Sequence, residues 1–164
     1  MNFEIPTRQS GGDLMNLQLT SIIKAPRARV YQALTDAQAV ATWMVPEGMT
    51  SRVHHFDARE GGAFRISLTY TTAEGVGKST AHTDTYHGHF VRLVPDEQVI
   101  QTMEFETDQP DMMGEMTTSF TLNEYDGGTK LIAAHDHVPA GISPADNEMG
   151  WRMALAKLTV LVEG

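Results

Sequence analysis

Residues 143–164 read SPADNEMGWRMALAKLTVLVEG, and their apolar side chains recur at helical spacing. Ser143 is a favourable N-cap, Pro144 suits the first helical position, and Asp146 favours the positive end of the helix dipole. The main apolar stripe consists of Trp151, Leu155, Leu158 and Val162, with Met149, Met153 and Val160 on a neighbouring stripe. The stretch predicts a helix about 30 Å long, which must bury its apolar stripe against another layer of structure.

The chain ahead of this helix is mostly strand-like. A first strand at residues 17–23 is followed by two short helices, one starting at Pro26 and one capped by Asp36. Alternating apolar residues then predict strands at residues 50–57, 63–70, 79–94, 98–105, 113–123 and 129–137. Because short turns join these strands, neighbours are expected to be antiparallel. The predicted fold is α+β: a curved antiparallel sheet of about six or seven strands wrapped round a long C-terminal helix, with two short helices after the first strand.

Glycines and prolines locate the turns and the divisions of the chain. Gly88 is expected to bend the longest strand, because glycine permits a β-bulge. A hairpin loop is expected at residues 73–78 and a tight hairpin at residues 126–128. Residues 1–16 show little periodicity and are predicted to form a mobile N-terminal arm. Residues 17–164 are expected to form a single domain.

The composition argues against several classes of protein. Twelve Lys and Arg against 21 Asp and Glu give a net charge of −9, which argues against binding of nucleic acid or of anionic membranes. The chain has no cysteine, which excludes disulfides, thiol catalysis and thiolate metal sites. No apolar run is long enough to span a membrane, and the first residues lack the pattern of a secretory signal. These features predict a cytoplasmic protein.

Local patterns recur in a characteristic order over residues 17–162. They are Ile23-Lys24-Ala25-Pro26 with Val30-Tyr31-Gln32-Ala33-Leu34-Thr35, Trp43 with Pro46, Asp57-Ala58-Arg59-Glu60-Gly61-Gly62-Ala63-Phe64, Gly127-Gly128-Thr129-Lys130-Leu131, and Gly150-Trp151. Together they resemble the START-like superfamily (SRPBCC, or helix-grip proteins), and within it the branch of activator of heat-shock-chaperone ATPase homologues. The resemblance implies a single START-like domain at residues 17–164. It implies a fold more firmly than an activity, since relatives include lipid carriers, polyketide cyclases and chaperone cofactors.

A curved sheet that diverges from a long helix favours an enclosed apolar pocket between the two. We therefore expect a small apolar or amphipathic molecule to bind there. Asn147 shares the helix face of Trp151 and is expected to be either an internal cap partner or a ligand contact. The predicted ligand-binding residues are Trp43, Phe64, Ile66, Leu68, Tyr70, His87, His89, Met103, Phe120, Asn147, Met149, Trp151 and Leu155. No cofactor is predicted.

Four of the seven histidines form two His-x-His pairs, His87 with His89 and His135 with His137. Such pairs could bind a metal if they met across one sheet, or could supply a general base in a pocket. Strand histidines that are exposed or hydrogen-bonded are the commoner case, so no metal site is predicted.

Two other functions compete with small-molecule binding. The family resemblance implies a chaperone ATPase cofactor or interaction protein, with a heat-shock chaperone as partner. A cyclase- or hydrolase-like enzyme could instead use a His or Asp in the pocket. Pairing of exposed edge strands could also produce a homodimer.

Overall fold

The computed structural model describes residues 15–71 and 83–164. The elements follow in the order β1 (Met15–Ile23), α1 (Arg27–Thr35), α2 (Ala37–Trp43), β2 (Met49–Phe56), β3 (Ala63–Tyr70), β4 (Thr83–Val94), β5 (Gln98–Phe105), a 3-10 turn (Pro110–Met112), β6 (Met116–Tyr125), β7 (Gly128–Val138) and α3 (Pro144–Glu163). This confirms the predicted α+β architecture. The expected N-terminal arm, apart from its last two residues, and the expected hairpin loop at residues 73–78 lie outside the described residues.

The seven strands form one antiparallel sheet in the order β1-β7-β6-β5-β4-β3-β2. Strands β2 to β7 are sequential neighbours, as expected for strands joined by short connections. Strand β1 instead pairs with β7, so β1 and β2 lie at opposite edges. Helices α1 and α2 carry the chain from one edge to the other, and they share a layer with α3 on one face of the sheet.

Helix α3 begins as the sequence predicts, because the Ser143 hydroxyl accepts a hydrogen bond from the Asp146 amide at 3.3 Å. Its buried residues are all in the second half of the helix: Ala154, Leu155, Leu158 and Val162. None of the residues at 144–153 is fully buried. The two halves of α3 therefore contribute very differently to the core.

Polar contacts also hold the second half of α3 to the rest of the domain. Lys157 Nζ donates to the Val45 carbonyl at 2.6 Å, and Arg29 donates to the Val162 carbonyl at 3.1 Å. At the end of the helix, the Glu163 carboxylate accepts from the Lys24 amide at 2.7 Å. These three contacts anchor α3 to the segments on either side of α1 and α2.

The core between the helices and the sheet is centred on Trp43, which is 1% exposed. Its indole N–H donates to the Ala33 carbonyl at 2.9 Å, which joins α2 to α1. Its ring meets Phe120 on β6 edge-on, with 6.1 Å between ring centroids. One side chain therefore connects both short helices to the centre of the sheet.

Strand β4 departs from the sequence prediction at Gly88. The prediction placed a bulge there, but Gly88 pairs in regular register with Phe64 on β3 and Met103 on β5. The irregularity lies between Phe90 and Arg92. Glycine is required at position 88 for a different reason, since an added Cβ would lie 1.8 Å from the Thr102 carbonyl oxygen.

The β6–β7 turn confirms the predicted hairpin. Asp126 and Gly127 are the two residues between the strands, and both have positive φ, at 49° and 80°. Two successive positive φ angles are typical of a type I′ turn, whose twist matches the twist of the paired strands.

Candidate functional site

A small cleft lies between β1, β7 and the first half of α3. It is lined by Leu17, Leu19, Ala133, Ala134, His135 and Trp151 and has a volume of about 170 Å³. We call it the His135 cleft. Leu17 lies opposite His135 in the β1–β7 pairing, and Leu19 lies opposite Ala133. Strand register thus supplies an apolar floor, and the partly buried Trp151 covers it from the helix.

The polar feature of the cleft is the contact between Trp151 and His135. Trp151 Nε1 lies 3.0 Å from His135 Nδ1, and the two rings meet edge-on at 5.5 Å between centroids. An indole nitrogen can only donate, so Nδ1 is the acceptor and carries no proton. In the neutral imidazole the proton is therefore on Nε2.

His135 Nε2 is buried and makes no hydrogen bond of normal geometry within the described residues. The side chain as a whole is 7% exposed. Burial lowers the pKa of His135 from 6.5 to about 4, while interactions with Asn147 and with the charge of Asp136 oppose this shift. At neutral pH His135 is therefore an uncharged hydrogen-bond donor, and its other nitrogen is already occupied by Trp151. This arrangement suits recognition of an acceptor atom better than general-base catalysis.

The lowered pKa of His135 predicts a stability loss on acidification. The folded pKa of about 4 lies below the unfolded value of 6.5, so the unfolded chain takes up the proton first as the pH falls. Stability should therefore decrease from pH 6.5 to pH 4, by about 3 kcal/mol from this residue alone. Urea unfolding of the wild type and of His135→Phe across this window measures the effect. Parallel pH profiles for the two proteins would contradict the prediction.

Two further polar side chains line up with His135 across the sheet. Thr118 on β6 lies opposite His135, and Gln101 on β5 lies opposite Thr118. Both are buried, and neither Thr118 Oγ1 nor Gln101 Oε1 has a hydrogen-bond partner in the part of the chain that is described. We call Gln101, Thr118 and His135 the polar row. Each unpaired buried group costs about 1–3 kcal/mol, so the row needs an explanation.

The structure divides the ligand-binding residues predicted from the sequence between several regions. Six of them are fully buried together in the apolar core: Trp43, Phe64, Ile66, Met103, Phe120 and Leu155. Leu68 is partly buried against this core, and Tyr70 is half-exposed at the end of β3. Only Trp151 lines the cleft, and only Asn147 joins it at His135. Asn147 thus faces inward, as predicted.

Three predicted residues point away from this site. Met149 is 60% exposed, because it is only two residues from Trp151 and therefore lies on another side of the helix. His89 is exposed and His87 is half-exposed, because both alternate with the inward-facing Gly88 on β4. We therefore do not include these three residues in the candidate site.

His87 belongs to an ion-pair cluster on the outer face of the sheet. Its ring nitrogens lie 2.9 Å from Glu106 and 3.2 Å from Glu104. Arg65 binds both oxygens of Glu106, at 2.8 and 2.9 Å. This guanidinium, with a smaller contribution from His87, lowers the pKa of Glu106 to about 2. The cluster explains the polar residues of these strands without a ligand.

The residues that sequence reasoning missed are Leu17, Leu19, Ala133, Thr118 and Gln101. A signal for the last two was present in the alternation. Thr118 shares strand parity with Phe120, and Gln101 shares it with Met103, so each is a polar residue on an otherwise inward-facing apolar series. His135 was considered only as a member of a His-x-His pair, although Ala133 marks it as inward-facing. Its partner His137 is exposed and has a positive φ of 60°.

Two classes of site find no support in the described ranges. No group of three or more His, Asp or Glu residues at 15–71 and 83–164 is arranged to hold a metal ion. None of the helices in the same ranges has the length and apolar character needed to cross a bilayer.

Comparison with solved structures identifies relatives of the same fold. A protein from Chromobacterium violaceum is 31% identical, with a TM-score of 0.81 over 91% of this chain and 97% of that one. A Rhodobacter sphaeroides protein is 19% identical, with a TM-score of 0.73 over 89% and 90% of the two chains. An AHSA1-like protein from Aeromonas hydrophila is 18% identical, with a TM-score of 0.66 over 91% and 92%.

Comparison of sequences agrees with the structural relatives. No curated protein matches the sequence at the same stringency. The family model described as Activator of Hsp90 ATPase homolog 1-like protein matches residues 24–163. This range extends from the end of β1 to the last residue of α3 and contains both the core and the candidate site. The chain therefore belongs to the family of Activator of Hsp90 ATPase homolog 1-like proteins.

Proposed function

We propose that the chain binds a small, mainly apolar molecule in the His135 cleft, between β1, β7 and the first half of α3. The observation that carries this proposal is an apolar cleft that contains a buried, uncharged imidazole. Trp151 fixes the proton of that imidazole on Nε2, which leaves a hydrogen-bond donor without a partner of normal geometry. Ligand sites are typically apolar with a few well-placed polar groups.

Binding requires the first half of α3 to move. The cleft of about 170 Å³ is smaller than the roughly 300–1,000 Å³ of typical ligand pockets. Residues 144–153 contribute no fully buried side chain, so displacing them exposes little apolar surface. Gly150 lies just before Trp151 and lowers the helical propensity at that point. The anchored second half of α3 can hold the core while the first half opens.

A cleft-filling substitution tests the proposal. Leu17→Trp places a large side chain in the cleft, and Ile22→Trp makes the same kind of change on the opposite face of β1, where Ile22 is 45% exposed. We expect a panel of fatty acids, steroids and flat aromatic compounds to contain a molecule that raises the melting temperature of the wild type. At saturating concentration the rise should be about 5–10 °C. The Ile22→Trp control should show the same rise and Leu17→Trp should not.

Two results would count against binding at this site. The first is a panel in which no compound shifts the melting temperature of the wild type. The second is a shift that Leu17→Trp retains in full, which would place the ligand elsewhere. Native mass spectrometry of the same complexes checks that the shift reflects one bound molecule.

A further inference from the structure

The polar row is enclosed by apolar residues on both sides along the strands. On one side the inward-facing neighbours are Met103 and Met116, which lie opposite each other on β5 and β6. On the other side are Val99 and Phe120, also paired across the same two strands. All four are buried. The row is therefore a line of polar groups across an apolar face, with Trp151 above the His135 end.

The hydrogen-bonding character of the row changes from one end to the other. His135 Nε2 carries a proton and can only donate while the ring is neutral, and Gln101 Oε1 can only accept. The Thr118 hydroxyl between them can do either. Each of these atoms lacks a partner of normal geometry within the described residues. A group that satisfies the row must therefore present an acceptor toward His135 and a donor toward Gln101.

The row favours an uncharged group. None of the Lys or Arg side chains in the described ranges is fully buried, so a carboxylate at the row would have no buried cation as a partner. Moving an unpaired charge out of water costs far more than moving a neutral polar group. A neutral group with one acceptor and one donor avoids this cost.

We propose that the polar row binds the uncharged head group of the ligand, an amide or a hydroxy-carbonyl group whose acceptor meets His135 and whose donor meets Thr118 or Gln101. This inference rests on the proposed function, since it assigns the polar end of a molecule whose apolar body fills the His135 cleft. It explains why buried groups that weaken the fold are present. Sites that hold unpaired polar groups for a ligand reduce stability in its absence.

Three probes with one apolar body and different head groups test the assignment. They are naphthalene, 2-naphthamide and 2-naphthoate. We expect wild-type protein to bind 2-naphthamide about tenfold more tightly than naphthalene, as two neutral hydrogen bonds of ordinary strength allow. It should bind the anionic 2-naphthoate more weakly than 2-naphthamide. Isothermal titration calorimetry on the full chain measures all three affinities.

Near-isosteric variants identify the groups responsible. Thr118→Val and Gln101→Met each remove a polar atom of the row while keeping the side-chain volume. Both should reduce the preference for 2-naphthamide over naphthalene to less than about threefold, with the naphthalene affinity unchanged. Both should also melt at the same temperature as the wild type or higher without ligand, because an unpaired buried group is lost. Thr20→Val is the matched control, since Thr20 Oγ1 is also buried and unpartnered but lies on the other face of β1.

The outcomes separate the two proposals. If naphthalene and 2-naphthamide bind the wild type equally, the head-group assignment is wrong and binding in the cleft still holds. If Thr118→Val and Gln101→Met keep the full preference, the polar row does not contact the head group. If no probe binds, the proposed function and this inference are both contradicted. If Thr20→Val abolishes the preference as well, the effect does not come from the row and the assignment is again wrong.

Discussion

The Gly88→Ala variant is expected to lose most of the stability of the domain. A Cβ at this position would lie 1.8 Å from the Thr102 carbonyl oxygen and 2.8 Å from the Met103 Cα. Both are backbone atoms of β5, so no rotation of a side chain can relieve the contact. The strands must separate or shift register in the middle of the sheet. We expect a loss of more than about 4 kcal/mol, within the range reserved for such severe changes, against a total of roughly 5–15 kcal/mol for a typical domain.

Gly150→Ala provides the matched control. A Cβ added at Gly150 meets nothing within 4 Å, and this glycine lies inside a helix, where alanine is preferred by about 0.5–1 kcal/mol. Gly150→Ala should therefore be as stable as the wild type or slightly more stable. Urea unfolding followed by circular dichroism measures both variants. A Gly88→Ala protein that unfolds within about 1 kcal/mol of the wild type would show that β4 and β5 do not approach as closely as described.

The second large effect is expected at Trp43. Trp43→Ala removes a side chain that is 1% exposed, together with its hydrogen bond to the Ala33 carbonyl and its contact with Phe120. Replacing a buried tryptophan by alanine costs about 3–5 kcal/mol, because apolar contacts are lost and a cavity remains. We expect a loss in this range, with α1 and α2 losing their common attachment to β6.

Trp151→Ala is the comparison for Trp43→Ala. Trp151 is only partly buried and lies over the His135 cleft, so its removal should cost clearly less than the removal of Trp43. Both variants are measured by the same unfolding experiment, since each leaves one tryptophan as a fluorescent probe. A larger loss for Trp151→Ala would mean that the first half of α3, rather than the second, holds the helix to the sheet.

Much of the fold is predictable because its signals are local. The bounds of β3 and β5 agree with the alternation of apolar residues, and the cap at Ser143 and the turn at residues 126–128 agree with short sequence patterns. Each of these features depends on residues that are close in sequence. The α+β class follows from their order.

The candidate site is less predictable because it depends on contacts between distant segments. Thr118 and His135 are recognisable as one row only after the pairing of β6 with β7 is known. Trp151 was expected to belong to the main buried stripe of α3, but the helix tilts its deepest contacts toward Leu155 and Leu158 and leaves Trp151 partly exposed. The misplaced bulge at Gly88 has the same origin. A glycine can be needed for a bend or for a close neighbour, and only the neighbouring strand distinguishes these two requirements.

The unequal burial along α3 separates the determinants of specificity from those of folding. Residues 154–163 carry the buried stripe and the contacts to Lys24, Arg29 and Val45. Residues 144–153 carry Asn147 and Trp151 and little of the core. Substitutions in the first half can therefore change what the chain recognises at little cost in folding free energy. One continuous helix thus offers a segment in which binding preference can diverge between related proteins while the domain they share stays intact.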